Sequence, residues 1–203
     1  MLLQLHPQNP DERKIKQIVE CLRDGGVIVY PTDTIYGLGC DFKNEHAVER
    51  ICRIKNIKPE KANLSFVCND LSHIADFTRP FGNDVFKLMK RCLPGPFTFI
   101  LNANNDIPRL LKSKKKTIGI RVPDNNIARS IALALGNPII STSLKNPSDD
   151  FIEYPTDPED IYEQYEKLVD IVIDGGYGGD IPSTIIDCTG NAPELQRQGL
   201  GEL

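Results

Sequence analysis

Four segments place hydroxyls, cations and a carboxylate at the ends of apolar runs. The first is Tyr30-Pro31-Thr32-Asp33-Thr34-Ile35-Tyr36-Gly37-Leu38-Gly39-Cys40. Loops that follow strands of an α/β sheet are where ligands bind. The plainer alternative is a turn in which Asp33 and Thr34 bond their own backbone. The second is Thr117-Ile118-Gly119-Ile120-Arg121-Val122-Pro123. An arginine within an apolar strand is costly unless it is paired or faces a ligand. Its fork suits a carboxylate or phosphate, and a structural acid would satisfy it equally.

The third is Ile139-Ile140-Ser141-Thr142-Ser143-Leu144-Lys145, three hydroxyls closing an apolar strand. Such hydroxyls hold phosphate oxygens or cap a helix. The fourth is Pro182-Ser183-Thr184-Ile185-Ile186-Asp187, followed by Arg197 after a further short strand. No histidine neighbours a serine or cysteine in these segments, so no Ser–His or Cys–His nucleophile pair is read. Neither a Walker A loop nor a Rossmann fingerprint occurs. A cationic and hydroxylic set fits chemistry done by positioning and by stabilising phosphate charge, as in phosphoryl or nucleotidyl transfer.

The elements that must carry these segments alternate in type. A helix is expected from about residue 9, with Asn9 as cap and Pro10 at its first position. Its inner stripe is Ile15, Ile18, Val19 and Leu22, and Gly25-Gly26 stops it. Further helices are read over 44–56, near 70–76, and over 82–92, 126–135 and 157–169. Strands are read over 27–30, 64–68, 97–101, 117–122, 138–142, 171–173, 184–186 and 194–197. The class is therefore α/β, with antiparallel pairing expected near the C-terminal end. No repeat or linker breaks the chain, so one domain spanning 1–203 is expected.

The 203 residues are 40% apolar and 26% charged, an ordinary globular composition. No apolar run approaches a membrane span, and residues 1–14 do not read as a signal peptide. The six cysteines are scattered without CxxC spacing, so a reducing cytoplasm is expected. The net charge of −4 argues against a nucleic-acid partner, but it averages over an uneven surface. Nine of the 24 lysines and arginines lie in 50–61 and 112–116, while acids collect in 149–170. These runs are solvated faces or, if the basic ones meet in space, an anion site.

In this order the segments resemble the YrdC/YciO family, over residues 10–203. Residues 26–38, Pro94-Gly95-Pro96-Phe97-Thr98-Phe99 and Gly119-Ile120-Arg121-Val122-Pro123 carry the likeness. Ser141-Thr142-Ser143 and Ser183-Thr184-Ile185-Ile186-Asp187 add to it. Within the family, Ile51-Cys52-Arg53-Ile54, Leu88-Met89-Lys90, Lys116-Thr117-Ile118-Gly119 and Asp174-Gly175-Gly176-Tyr177 look most like the YciO branch.

The resemblance implies a YrdC/RibB-like fold, a twisted mixed sheet with flanking helices and a concave, positively charged cleft. It implies an activity that joins L-threonine, bicarbonate and ATP into threonylcarbamoyl-AMP and pyrophosphate, for tRNA threonylcarbamoyladenosine modification. Downstream tRNA-modification proteins would then be partners. The alternative is a YciO-type protein that binds double-stranded RNA, tRNA or a nucleotide without synthesis. By resemblance, Thr34, Arg121, Ser141 and Ser183 match threonine-binding positions. Lys55, Lys58, Asn63, Thr117, Ser143 and Arg197 match ATP-binding positions, with Lys55, Lys58 and Arg121 as the catalytic set. Mg²⁺ would ride on the ATP phosphates, with no protein metal site.

Three positions depart from the family pattern. Lys-x-Arg-Pro becomes Lys55-Asn56-Ile57-Lys58-Pro59. Ser-x-Asn becomes Ser143-Leu144-Lys145-Asn146. A histidine expected at the end of the 64–68 strand is Cys68.

Overall fold

A computed structural model describes residues 1–59, 62, 64–105, 107, 116–144 and 154–203. Among the described residues ten strands form one mixed sheet: β1 (Leu2–Gln4), β2 (Val27–Tyr30), β3 (Gly37–Asp41), β4 (Ser65–Val67), β5 (Phe97–Asn102), β6 (Thr117–Arg121), β7 (Ile139–Ser143), β8 (Ile171–Asp174), β9 (Thr184–Asp187) and β10 (Glu194–Arg197). Their order is β1-β8-β2-β3-β7-β4-β6-β5-β9-β10. Parallel pairs are β1–β8, β2–β8, β4–β6 and β5–β9; the other five neighbours are antiparallel. Antiparallel pairing thus runs through the middle of the sheet as well as its C-terminal edge.

Five α-helices flank the sheet among the described residues: α1 (Glu12–Arg23), α2 (Glu45–Ile54), α3 (Asn83–Cys92), α4 (Asn126–Leu135) and α5 (Pro158–Tyr165). Helix α1 buries the expected stripe Ile15, Ile18, Val19 and Leu22. Its cap is Asp11 rather than Asn9. The Asp11 carboxylate accepts from the amides of Arg13 and Lys14, and its charge complements the helix dipole as Asn could not. The expected helix near 70–76 is only a short 3₁₀ turn, Ile74–Asp76. Helix α5 ends at Tyr165, short of the expected 169; the Leu168 and Val169 amides both donate to the Tyr165 carbonyl in the turn that follows. No helix among the described residues is long and apolar enough to cross a membrane.

The two faces of the sheet are finished differently. One packs Val29, Leu38, Phe66, Phe99, Ile118, Ile120 and Ile140 into a core under α2, α3 and α5. The other carries Ile28, Tyr30, Val67, Ile139, Ile171 and Ile173 beneath α1 and α4. That second face is only partly roofed. On β6 the burial alternates, with Ile118 and Ile120 buried and Thr117, Gly119 and Arg121 half-buried on the opposite side.

Strand β3 corrects the sequence reading of 30–40 as one ligand loop. Only 31–36 is loop; Gly37–Asp41 is fully buried between β2 and β7. A strand with two glycines lacks the β-branched signature, so propensity hides it.

Candidate functional site

The open part of the second face carries a row of small polar side chains set by strand register. Gly39 lies opposite Ser141, Ser141 opposite Ser65, and Ser65 opposite Gly119. Opposite residues share a face, so one line crosses β3, β7, β4 and β6. It extends to Thr98 on β5, whose Oγ1 lies 2.8 Å from Ser183 Oγ. A Cβ built on Gly119 would stand 2.9 Å from Ser65 Oγ and 3.1 Å from Thr98 Cγ2. The glycine therefore leaves a floor between the Ser65 hydroxyl and the Thr98 methyl.

Tyr30 closes one end of the row. Its ring crosses β3, and its phenol donates 2.7 Å to Ser141 Oγ. Gly37 and Gly39 make that crossing possible: a Cβ on Gly39 would meet Tyr30 Cε1 at 2.8 Å. Burial pushes the Tyr30 phenol up to about 12, against the lowering effect of the Ser141 bond. It therefore stays a protonated donor.

Arg121 stands at the end of β6 on the same face. Its Nη2 donates 2.8 Å to Asp33 Oδ1 and 3.0 Å to Thr34 Oγ1. Asp33 Oδ2 also accepts from the Asp124 amide at 3.1 Å. The sequence left the arginine's partner open between ligand and structural acid, and the structure supplies the acid. The pair is largely buried, with side-chain exposures of 11% and 7%. Yet Arg121 Nε is buried and has no hydrogen-bond partner among the described residues. An orphaned buried donor is rare enough to need a reason.

Two more cations border the row. Buried Lys55, the C-cap of α2, donates through Nζ to the Ser143 carbonyl at 2.6 Å. Arg197 on β10 donates to the Ser183 carbonyl at 2.6 Å. Partial burial of its guanidinium lowers its pKa; Tyr154 opposes the fall and Arg121 adds to it. The glycine-rich 175–179 turn braces the loop from behind. The Gly179 amide donates 2.7 Å to the Thr34 carbonyl, and the Tyr36 phenol donates 2.7 Å to the Gly176 carbonyl.

The structure thus brings together Thr34, Arg121, Ser141, Ser143, Ser183, Arg197, Thr117 and Lys55, on or beside one face. Lys58 is exposed after α2, with no contact tying it to this group among the described residues. Asn63 lies outside the described residues, as do Lys61, Lys112, Lys114, Lys115, Lys145 and Asn146. Lys116, the described member of the second basic cluster, is exposed. Arg50 leaves the first cluster altogether: it pairs with Asp170 at 2.6 Å and donates to the Leu168 carbonyl.

Sequence reasoning missed Ser65 as a site residue and Asp33 as the partner of Arg121. Ser65 had a signal, as a lone hydroxyl in an apolar strand whose neighbours are Ser141 and Gly119. Cys68, where the resemblance expects histidine, is buried and donates its amide to the Arg121 carbonyl. Burial raises its thiol to about 12, which keeps it protonated near neutral pH. None of the six cysteines is in a disulfide.

Comparison with known proteins finds the same fold. The profile of the Sua5/YciO/YrdC family, described as "Telomere recombination", matches residues 20–199. The chain is 48% identical over 200 residues to the uncharacterized protein YciO of Escherichia coli, covering 98% of this chain and 95% of that one. It superposes on the crystal structure of E. coli YciO with a TM-score of 0.91, covering 100% of this chain and 97% of that one at 45% identity. It is 32% identical over 195 residues to the threonylcarbamoyl-AMP synthase of Bacillus subtilis, covering 93% of this chain and 54% of the synthase. The structure of P. abyssi Sua5 complexed with L-threonine superposes with a TM-score of 0.89 at 27% identity, over 98% of this chain and 57% of Sua5. A profile match across most of the chain, joined to this sheet order and its half-open polar face, makes the chain a member of the Sua5/YciO/YrdC family.

Proposed function

We propose that the chain is an ATP-dependent L-threonylcarbamoyl-AMP synthase that acts in tRNA threonylcarbamoyladenosine modification in the cytoplasm. The observation that carries this reading is the half-buried Arg121 guanidinium at the end of β6, held beside Thr34 on the face whose row includes the hydroxyls of Ser141 and Ser183. An amino acid offers a carboxylate to such a donor and a hydroxyl to such a row. Kinship with a threonylcarbamoyl-AMP synthase and a threonine-bound Sua5 supports threonine as that amino acid.

The reaction then follows from its parts. The threonine amine and bicarbonate condense to a carbamate with loss of water. A carbamate oxygen attacks the ATP α-phosphorus, the bond to the β-phosphate oxygen breaks, and pyrophosphate leaves. Arg121, Ser141 and Ser183 hold the amino acid. Lys55, Lys58, Asn63, Thr117, Ser143 and Arg197 are assigned to ATP. Cations near the phosphates stabilise the charge that gathers as pyrophosphate departs. Mg²⁺ entering with ATP supplies further neutralisation.

Pyrophosphate release measured with each substrate omitted in turn tests the reading. Release should require ATP, L-threonine and bicarbonate together, and should fall at least tenfold in Arg121→Lys. The other reading keeps the cationic residues but not the synthesis. It expects no release, with tRNA or duplex RNA bound in a strongly salt-dependent way.

A further inference from the structure

The loop ahead of β3 contains a chain of hydrogen bonds whose proton directions are determined. The Thr32 hydroxyl donates to the Ile35 carbonyl at 2.7 Å. A hydroxyl has one proton, so Thr32 cannot also donate to Thr34, 3.1 Å away. The proton in that contact therefore belongs to Thr34. Thr32 Oγ1 accepts it, together with the Thr34 amide at 3.1 Å. With its proton committed to Thr32, Thr34 Oγ1 turns a lone pair to Arg121 Nη2 at 3.0 Å. Asp33 Oδ1 accepts from the same nitrogen at 2.8 Å.

The guanidinium is thus held at Nη2 from two sides, by a carboxylate and by a hydroxyl of fixed polarity. Nε is left buried, with no hydrogen-bond partner among the described residues. Thr34 is only 1% exposed and has no proton left to give a ligand carboxylate.

From this arrangement we infer that Thr32 is a positioning residue. It acts through Thr34 to lock the Arg121 guanidinium in one orientation towards the acceptor group of the ligand. Thr34 belongs to the same device, as an acceptor towards Arg121 rather than a donor towards substrate. The part that concerns L-threonine rests on the function proposed above. The locking of Arg121 does not.

Two measurements separate these parts. In the free protein, ¹⁵N-arginine labelling reads rotation about the Arg121 Nε–Cζ bond through its Nη signals. Wild type should show separate Nη signals, Thr32→Val should show them merged by faster rotation, and Thr32→Ser should restore them. Equal rotation in wild type and Thr32→Val overturns the inference whatever the ligand. Calorimetric titration with L-threonine then reads the consequence. Thr32→Val should weaken binding about tenfold, and Thr32→Ser should bind as wild type. Equal affinity for Thr32→Val and wild type also overturns the inference. If wild type binds no L-threonine, the proposed function falls while the rotation measurement still decides the positioning role.

Discussion

The Tyr30 phenol reaches across an entire strand to donate a 2.7 Å hydrogen bond to Ser141 Oγ. Both residues are buried, and the strand between them is passable because Gly37 and Gly39 carry no side chain. One bond thus ties the loop's leading strand to the hydroxyl row of the site.

Removing that bond should be felt in stability and in the site together. Tyr30→Phe loses a buried hydrogen bond, and denaturant unfolding should show a loss of about 1–2 kcal/mol. Gly39→Ala forces a Cβ against Tyr30 and Ile139, with a cost of about 1–3 kcal/mol from overpacking. Gly37→Ala should be milder, because its nearest contact, Ser141 Oγ, is 3.0 Å away.

The Asp33–Arg121 pair should behave as a coupled unit. Asp33→Asn leaves a buried cation short of its counter-charge, and Arg121→Gln leaves a buried carboxylate. Each single change should cost about 3 kcal/mol in urea unfolding. The double variant should lose at least ~1 kcal/mol less than the two losses added together. Additive losses would mean the two groups do not interact.

Much of the fold is legible in the sequence, because periodic apolar residues mark α1, α2, α4 and the β5 and β6 strands. What sequence hides is set by tertiary contact. Strand β3 is invisible to propensity because its glycines serve the Tyr30 ring rather than the backbone. Arg50 and Lys55 look alike as members of one basic run, yet Arg50 turns to Asp170 and Lys55 to Ser143. Helical spacing separates them, and no linear count of charge sees it. The site was legible as hydroxyls and arginines at strand ends. Its register, which lines Ser65 and Gly119 up with Ser141, comes only from the strand order.

Arg50 gives a direct check on that division. Its pair with Asp170 is partly exposed, so Arg50→Ala should change stability by no more than about 1 kcal/mol. Nucleotide binding, followed by calorimetry, should be unchanged. A large loss of nucleotide affinity would return Arg50 to the cationic site.

Alkaline pH should destabilise the protein early. Burial raises Cys68 from an ordinary 9.0 to about 12, and Cys21 and Cys188 to about 11. Burial likewise raises Tyr30 and Tyr36 from 10.0 to about 12. The unfolded chain releases these protons first, so above pH 9 the folded state holds more of them. Stability is then full below about 9 and falls as pH rises towards 12. Urea midpoints taken from pH 8 to 11 should fall throughout the upper part of that range; a flat profile would contradict the burial of these groups.

The central claim is that the half-open face of the sheet builds a carbamoyl-adenylate from three substrates. Labelled bicarbonate, incubated with the protein, ATP, Mg²⁺ and L-threonine, tests it most directly. The account predicts label in a threonine-dependent adenylate, absent when threonine is omitted and at least tenfold lower in Arg121→Lys and Ser183→Ala. Contradiction would be a folded, wild-type protein that transfers no label into an adenylate, or one whose labelled product is indifferent to both substitutions.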